Sequence, residues 1–495
     1  TSLVVWLMLR WEENAERHTS MRWIILIAYL MGLSIGVHIL NLLTIPALVM
    51  IWFFRQYEFK TAKDYFLKIV IALVVSMLIL GAINGVIIPY TVALGAAVDT
   101  FTVNSLGMPV NVGMMLYLVA VFALLGWLIV YTHNHSKRIA NAVVLCLPVI
   151  LIGFSSYAMV IVRANANPPM NSNNPWNPHT LLSMLNRDQY GQRPLLRGPY
   201  YSAQPLSPVE INPDIESEDT YLPGEYDSAM MTWYNPDTKQ YEKREIFEGY
   251  KYPSEAMHLF PRMWYFQRKD AYESGWIELQ NDKPQVKRSA EGVGEWYEHS
   301  AWEDIRFFVG YQMGDMFWRY FMWNFVGRQS DNQMTKDEQG RYLDGGWSSG
   351  IGFIDKIFCG TQQNLPSGVA DSPGHNTYFF LPLLLGLMGL IYQLNRDWRN
   401  FFVVLLLFVM MGIALVVYFN TAPDEPRERD YVYAGAFYAF SIWIGLGVLA
   451  IADMAEDVVR RLKLTPKRAS VVMVVATLLL SSSVPVVLAS ENWDD

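Results

Sequence analysis

The chain has 495 residues, of which 52% are hydrophobic and only 17% are charged. A soluble domain carries roughly 25% charged residues, so this composition excludes an ordinary soluble protein and predicts a membrane protein. The net charge of −8 shows no basic excess, and we expect no nucleic acid among the partners.

Apolar runs of the length that a membrane helix needs, about 20 residues, recur along the chain. A short run at 2–9 indicates the end of a first helix, and longer runs follow at roughly 22–53, 69–89, 112–131, 139–162, 377–394, 401–419, 433–452 and 470–489. The sequence therefore predicts an all-α polytopic membrane bundle of about nine crossings, the first incomplete. Because the chain starts without Met inside an apolar run, we expect it to be a fragment.

Positively charged loops predict the orientation, because Lys and Arg concentrate on the cytoplasmic side of membrane helices. Each of the segments 54–68, 132–138, 395–400 and 453–468 carries at least two such residues. With these four inside, the helices alternate without conflict. The predicted divisions are an N-terminal membrane group at 1–162, an extracytoplasmic segment at 163–376, a C-terminal membrane group at 377–490 and the start of an outer tail at 491–495.

The extracytoplasmic segment changes in character along its length. It opens with the Pro- and Asn-rich stretch 165–180, which is typical of extended, turn-rich chain. Residues 239–251 resemble strand material between turns. Residues 304–327 are too polar to span a membrane yet dense in aromatic side chains, which predicts an amphipathic interfacial helix or helix pair. The segment is therefore expected to be mixed α/β.

Polar residues inside one apolar run suggest a special role for GLSIGVHILNLLTIP, residues 32–46. His38 and Asn41 stand three apart, which places them on one face of a helix. Gly32 and Gly36 form a G-x-x-x-G step that lets a second helix approach closely. Two interpretations of His38 and Asn41 stay open: hydrogen bonding to a neighbouring helix, or lining a polar cavity.

Charge is concentrated in TAPDEPRERDYVYAG, residues 421–435, between two apolar runs. Arg427 and Arg429 stand at the predicted outer end, where arginine is normally scarce. One interpretation is a solvated turn, whose surface ion pairs are worth about 0–1 kcal/mol. The other is an anion site, because the planar fork of arginine suits phosphate oxygens. The two arginines share a face only if this segment is extended.

Several common chemistries leave no pattern in the sequence. It contains no G-x-x-x-x-G-K-[ST], so no ATP-driven pump is visible, and no H-E-x-x-H, C-x-x-C or G-x-S-x-G. Asp371 and His375 in DSPGHN could offer two metal ligands, but two ligands make no site and the stretch is typical of a turn. The sequence assigns no metal site and no cofactor, and a requirement for a divalent metal stays open.

Four long stretches carry a family resemblance. They are GLSIGVHILNLLTIPAL (32–48), NSNNPWNPHTLLSMLNRDQYG (171–191), FWRYFMWNFVGRQSD (317–331) and PDEPRERDYVYAGAFYAFSIWIGLG (423–447). They resemble a bacterial family of multi-pass membrane proteins, long catalogued as a domain of unknown function and related to the eukaryotic transmembrane O-mannosyltransferase that modifies plexin-type receptor domains. The resemblance implies a C-type glycosyltransferase fold and polyprenyl-phosphate sugars as donors.

The implied activity is transfer of a sugar, mannose in the related enzyme, from that lipid to an extracytoplasmic acceptor, Ser or Thr of a protein. The implied location is the bacterial inner membrane, with the large segment on the periplasmic side and membrane lipid around the helices. The catalytic carboxylate of such enzymes stands in the first outer loop, expected N-terminal to Thr1, and family members commonly continue into an outer C-terminal domain. The resemblance implies donor-phosphate binding by Arg427, Arg429 and Arg319, and a cavity lined by His38, Asn41, Asn324, Arg328, Asp430 and Tyr431.

Two other functions stay open. A lipid-phosphate or lipid-linked sugar transporter, or flippase, also needs a charged pocket and a lipid groove, but the internal repeats that transporters often show are not visible. A membrane scaffold, whose outer segment binds a partner, would leave His38 and the arginine pair without a role. An acidic outer loop preceding Thr1 would favour the transferase.

Overall fold

The computed structural model describes residues 1–495 except 18, 59, 189–192, 204–225, 278–285, 289–294, 361–364, 371, 424–428, 463–465 and 494–495. The chain divides into two compact units, Thr1–Ser300 and Ala301–Asp495. The division predicted from the sequence, at residues 162 and 376, follows membrane topology instead. That division stays a prediction.

The first unit consists of apolar helices followed by a mixed segment with short strands. Its helices are α1 Ser2–Glu13, α2 Met21–Ile35, α3 Ile45–Gln56, α4 Ala62–Ala82, α5 Ile88–Leu106, α6 Val112–Asn134, α7 Arg138–Phe154, α8 Ala158–Asn165, α9 Pro178–Asn186 and α10 Lys269–Gly275. Its strands pair antiparallel as β1 Arg197–Pro199 with β4 Met257–Leu259, β2 Tyr226–Asn235 with β3 Gln240–Tyr250, and β5 Val286–Arg288 with β6 Glu295–Tyr297.

Glycines let α2 pack closely against α7 and the 3-10 turn that follows it. A Cβ atom at Gly32 would lie 2.2 Å from the carbonyl oxygen of Ile150, and one at Gly36 would lie 2.1 Å from Oγ of Ser156. Only glycine fits such backbone approach, as in other G-x-x-x-G helix pairs. The close approach predicted from Gly32 and Gly36 is therefore confirmed.

The longest helix runs from Ala62 to Leu106, because a π-helical turn at Ile83–Ile87 joins α4 to α5. At about 1.5 Å per residue, its 45 residues extend far beyond a hydrocarbon core of about 30 Å. The helix ends at Gly107, whose φ of 64° is the left-handed conformation common after a helix C-terminus. The predicted membrane span 69–89 lies within this helix, which continues to Leu106.

The second unit begins with a continuous helix built from α11 Ala301–Phe307, a π-helical segment Phe308–Trp318 and α12 Arg319–Phe325. Its other helices are α13 Gly352–Phe358, α14 Ser367–Ala370, α15 Leu381–Arg396, α16 Trp398–Met411, α17 Ile413–Phe419, α18 Ala434–Arg461 and α19 Pro466–Glu491. Its short strands pair antiparallel as β7 Gly327–Arg328 with β10 Asn376–Thr377, and β8 Thr335–Lys336 with β9 Tyr342–Asp344.

Glycines also set the contact between α15 and α18. A Cβ atom at Gly389 would lie 1.8 Å from the carbonyl oxygen of Trp443, and one at Gly447 would lie 2.2 Å from that of Leu385. The backbones therefore touch at this crossing. Since lipid is as apolar as the side chains, such close packing is a main source of stability for membrane helix pairs.

Polar contacts mark the two ends of this helix group. At one end Arg396 contacts Asp453 at 2.6 Å. At the other, Glu491 at the end of α19 accepts a hydrogen bond of 2.8 Å from the backbone N–H of Thr377. Arg396 and Asp453 thus lie at one end of the group, and residues 377 and 491 lie at the other. The predicted alternation of these loops across a membrane stays a prediction.

Seven helices among the described residues are long and apolar enough to cross a membrane, which indicates an integral membrane protein. The helices near predicted spans 22–53 and 377–394 include α2 and α15, which have only 15 and 16 residues. The count of nine crossings stays a prediction. The seven helices are Ile39–Gln56, Ala62–Leu106, Val112–Asn134, Ile139–Asn165, Trp398–Phe419, Asp430–Arg461 and Lys467–Glu491.

Candidate functional site

A π-helical segment of 11 residues, Phe308–Trp318, forms the centre of the candidate site in the second unit. Such segments are rare, usually a single turn, and frequent at functional sites. The helix predicted over 304–327 is present, with its bounds at 301 and 325; its depth in a membrane stays a prediction. Gln312 and Asp315 are buried within this aromatic segment, and their polar groups need partners there.

The buried Asp315 forms an ion pair with Lys336, whose side chain is partly exposed. The Lys336 ammonium lies 2.6 and 2.7 Å from the two carboxylate oxygens, and the Tyr342 hydroxyl donates a third bond of 2.9 Å. Burial and the adjacent Asp315 raise the pKa of Tyr342, so this hydroxyl keeps its proton and acts as a donor. These bonds fasten the β8–β9 hairpin to the helix.

Arg319 is almost completely buried, with 1% of its surface exposed. Its Nε donates to the carbonyl oxygen of Asp315 at 3.0 Å, and its Nη1 donates to that of Gly345 at 2.6 Å. The guanidinium also lies 4.4 Å from the ring centre of Tyr320 and 4.8 Å from that of Trp323. This placement favours a positioning role for Arg319 over direct phosphate contact, and the predicted phosphate contact stays untested.

The loop that follows α17 is anchored on the π-helical segment. Nε2 of Gln312 donates to Oδ1 of Asn420 at 3.0 Å and to the carbonyl oxygen of Thr421 at 2.9 Å. The Tyr311 hydroxyl donates to the carbonyl oxygen of Ala422 at 3.3 Å. The start of the charged stretch 421–435 is therefore fixed against the helix 301–325.

The described end of the charged stretch lies against the same helix. The backbone N–H of Arg429 donates to the Tyr320 hydroxyl at 3.2 Å, and Arg429 itself is half-buried. Asp430–Tyr433 then forms a 3-10 helix, with Asp430 half-buried and Tyr431 exposed. Arg427 lies outside the described residues. Whether Arg427 and Arg429 share a face therefore stays a prediction.

Arg328 and Asn324 lie near the C-terminus of the same helix. The Arg328 guanidinium lies 5.2 Å from the ring centre of Trp323, and its backbone N–H donates to Oδ1 of Asn376 at 2.9 Å. Asn324 is exposed and donates to the carbonyl oxygen of Tyr320 in its own helix, at 2.8 Å. Arg319 and Arg328 thus contact one tryptophan, and Arg328 is the more accessible of the two.

This arrangement can bind an anion. Arg328 and Arg429 are partly exposed, and each contacts an aromatic residue of the helix, Trp323 and Tyr320 respectively. Guanidinium groups suit phosphate because they donate two parallel hydrogen bonds. Sequence reasoning missed Gln312, Asp315 and Lys336, which hold the loops in place. The signal available in the sequence for Gln312 and Asp315 was a polar residue within a run of aromatic residues.

His38 and Asn41, in the first unit, do not share a helix face. Helix α2 ends at Ile35, His38 has extended backbone with φ −158°, and Asn41 lies in the 3-10 helix Ile39–Thr44. The exposed His38 caps that short helix by accepting from the backbone N–H of Leu40. Oδ1 of Asn41 accepts a 2.6 Å bond from the Thr1 hydroxyl. The prediction of one continuous helix through 32–46 is wrong, because the chain leaves helical geometry after Gly36.

A second polar centre, missed in the sequence, surrounds Asp99 in the first unit. This fully buried carboxylate accepts from the backbone N–H groups of Asn111 at 3.1 Å and Gly113 at 2.9 Å, and from the Tyr241 hydroxyl at 2.9 Å. Burial lowers the pKa of the nearby His179, although Asp99 partly offsets this. The centre joins helices α5 and α6 to the hairpin β2–β3, which indicates a structural role.

Comparisons with known proteins give two partial matches. Residues 191–309 match a family of unknown function, DUF8416, and residues 1–61 match the N-terminal domain of the protein O-mannosyl-transferase TMEM260. No curated protein and no solved structure matched significantly. The second match includes the stretch 32–48, and for the other three stretches the resemblance stays a prediction. The match over residues 1–61 supports a relation of this chain to the TMEM260 family of membrane O-mannosyltransferases.

Proposed function

We propose that this protein is a membrane glycosyltransferase that moves a sugar from a polyprenyl-phosphate donor to an extracytoplasmic protein. The proposed sugar is mannose. The observation that carries the proposal is the match of residues 1–61 to a domain described as part of a protein O-mannosyl-transferase. The seven apolar helices are in keeping with a lipid-linked donor. The acceptor group in this proposal is a Ser or Thr hydroxyl.

The proposed donor-phosphate site is the charged stretch 421–435 where it lies on the helix 301–325. Arg429, whose backbone donates to Tyr320, is the assigned phosphate ligand among the described residues, and Arg328, which contacts Trp323 of the same helix, is the second candidate. Arg319 and the Asp315–Lys336 pair hold the surrounding loops. Two fixed cations beside a leaving phosphate would stabilise the charge that develops on it.

The proposed reaction is a displacement at the anomeric carbon. The acceptor hydroxyl oxygen forms the new bond to this carbon, and the bond from the carbon to the phosphate oxygen breaks. Polyprenyl phosphate leaves with the bonding electron pair, and a carboxylate takes the acceptor proton. Arg429 acts on the leaving phosphate, and none of the described residues is assigned the proton transfer.

The proposed location is the inner membrane of a bacterium, with the donor-phosphate site on the periplasmic side. The loop charges support this orientation, because segments 395–400 and 453–468 are rich in Lys and Arg, and Arg396 and Asp453 lie at the opposite end of the second unit from residue 491. A donor flipped to the outer leaflet would present its phosphate at this level.

Donor binding by arginine variants tests the proposal. Arg429→Lys keeps the charge but loses the two-pronged geometry, which removes one charge-assisted hydrogen bond worth roughly 1.5–3 kcal/mol. Affinity for a polyprenyl-phosphate sugar should fall about ten- to a hundredfold. Arg396→Lys is the matched control, because Arg396 lies at the other end of the same unit and should leave affinity unchanged. Parent-like binding by both Arg429→Lys and Arg427→Lys would place the phosphate elsewhere.

A further inference from the structure

A cavity of about 710 Å³ lies at the C-terminal end of the membrane helix Ile139–Asn165 in the first unit. The turn-rich stretch that begins at residue 165 forms its other wall. The proposed glycosyl transfer gives this stretch no role. The lining combines one cation with apolar and small polar side chains, among them Val160, Arg163, Met170, Asn171, Ser172 and Met184.

The cavity is built by side-chain amides that tie the loop to the helix end. Nδ2 of Asn165 donates to the carbonyl oxygen of Trp176 at 2.9 Å, and Nδ2 of Asn171 donates to that of Ala164 at 3.2 Å. Asn167, Asn173 and Asn174 have φ values of 48°, 62° and 37°. Asn tolerates this left-handed conformation better than most residues, so the repeated asparagines fix the course of the loop.

Arg163 is the only cation in the lining. It is exposed and forms no ion pair with any residue that the structure describes. The sequence places Lys137 and Arg138 at the start of this helix, so Arg163 stands at the end where positive charge is normally scarce. Met159 and Val162 on the helix and Met170 on the loop are 62%, 64% and 88% exposed. A cation thus stands beside apolar surface at the level where a membrane helix ends.

We propose that this cavity binds the headgroup of an anionic phospholipid from the surrounding bilayer. The phosphodiester would contact Arg163, the polar part of the headgroup would contact Asn171 and Ser172, and the start of an acyl chain would lie against Val160 and Met170. A single exposed cation gives weak binding, so the site is filled only by an abundant ligand. Bulk phospholipid meets this condition, whereas a scarce lipid carrier does not.

Native mass spectrometry of the full chain, released from nanodiscs of mixed dioleoylphosphatidylglycerol and dioleoylphosphatidylcholine, tests the site. The parent should retain phosphatidylglycerol with about a fivefold preference, the contribution of one basic residue near an anionic surface. Arg163→Gln should abolish the preference. Ala166→Trp, which fills the cavity and keeps the charge, should do the same. Arg197→Gln makes the same charge change on the same unit outside the cavity and should leave the preference intact.

An unchanged preference in both Arg163→Gln and Ala166→Trp would overturn the proposal. So would displacement of phosphatidylglycerol by polyprenyl phosphate at equal concentration, because the cavity would then be a carrier-lipid site. The inference does not depend on the proposed glycosyl transfer. If Arg429→Lys loses donor binding but keeps the lipid preference, the result bears on the proposed phosphate site in the second unit and not on this cavity.

Discussion

The ion pair of buried Asp315 and partly exposed Lys336 predicts an asymmetric response to mutation. The two side chains differ in exposure, with 4% for Asp315 and 30% for Lys336. Lys336→Met leaves the carboxylate buried, with the Tyr342 hydroxyl as its remaining hydrogen-bond donor among the described residues. Asp315→Asn instead leaves an ammonium group that water can reach. We therefore expect Lys336→Met to destabilise the protein more than Asp315→Asn does.

The magnitudes follow from the contacts that each variant loses. Removing the cation that compensates a buried carboxylate costs about 3–5 kcal/mol, which is the value expected for Lys336→Met. Asp315→Asn keeps one oxygen acceptor and frees a lysine that can hydrate, so about 2–3 kcal/mol is expected, within the range for charge-assisted hydrogen bonds. The double variant should be less destabilised than the sum of the two, with a coupling of roughly 1.5–3 kcal/mol.

Reversible unfolding in mixed detergent micelles, across the double-mutant cycle, measures these free energies. Lys269→Met is the matched control, because Lys269 is 55% exposed and its ion pair with Glu273 is long, at 3.9 Å. This variant should cost less than about 1 kcal/mol. An Asp315→Asn variant that is destabilised more than Lys336→Met would refute the reasoning about exposure. A coupling near zero would show that the pair does not hold the hairpin.

Three further predictions concern packing, protonation and topology. Gly389→Ala should lower the yield of folded protein because its Cβ would meet the Trp443 carbonyl oxygen, whereas Gly445→Ala, with open space around it, should not; thermal unfolding compares the two. Burial lowers the pKa of His179 below its ordinary 6.5, so its contribution to stability is present above pH 6.5 and is lost as pH falls through the lower folded value. His179→Gln should remove that part of the acid sensitivity in a pH series of unfolding curves, and an unchanged pH profile would contradict the assignment. Cysteines at Leu343 and Tyr431, both exposed, should be labelled in intact cells by an impermeant reagent after Cys146 and Cys359 are replaced, and labelling of only one would refute the predicted topology.

Much of the helical architecture could be predicted from the sequence, because an apolar run of about 20 residues has few alternatives to a membrane helix. The close helix approach at Gly32 and the aromatic helix near 304–327 were also visible locally. The break after Gly36 was not, because the run 22–53 stays apolar through it and hydropathy does not respond to backbone geometry.

The polar contacts could not be predicted because their partners are distant in sequence. The Tyr241 hydroxyl reaches Asp99 across 142 positions, and Lys336 reaches Asp315 across 21. Asp315 and Arg319 stand four residues apart, a spacing at which side chains of a regular α-helix can pair. The π-helical segment changes that geometry, so Arg319 bonds the carbonyl oxygen of Asp315 while the carboxylate binds Lys336.

The most direct test of the central claim is sugar transfer by the purified full-length protein. A radiolabelled polyprenyl-phosphate mannose and an extracytoplasmic protein acceptor are incubated with the parent, Arg429→Lys and the control Arg396→Lys. The proposed function predicts that label passes to Ser or Thr of the acceptor, at a rate about ten- to a hundredfold lower in Arg429→Lys and unchanged in Arg396→Lys, because Arg429 belongs to the proposed phosphate site and Arg396 does not. Transfer of intact lipid-linked mannose across vesicles, with no label on any acceptor, would contradict it and indicate a transporter.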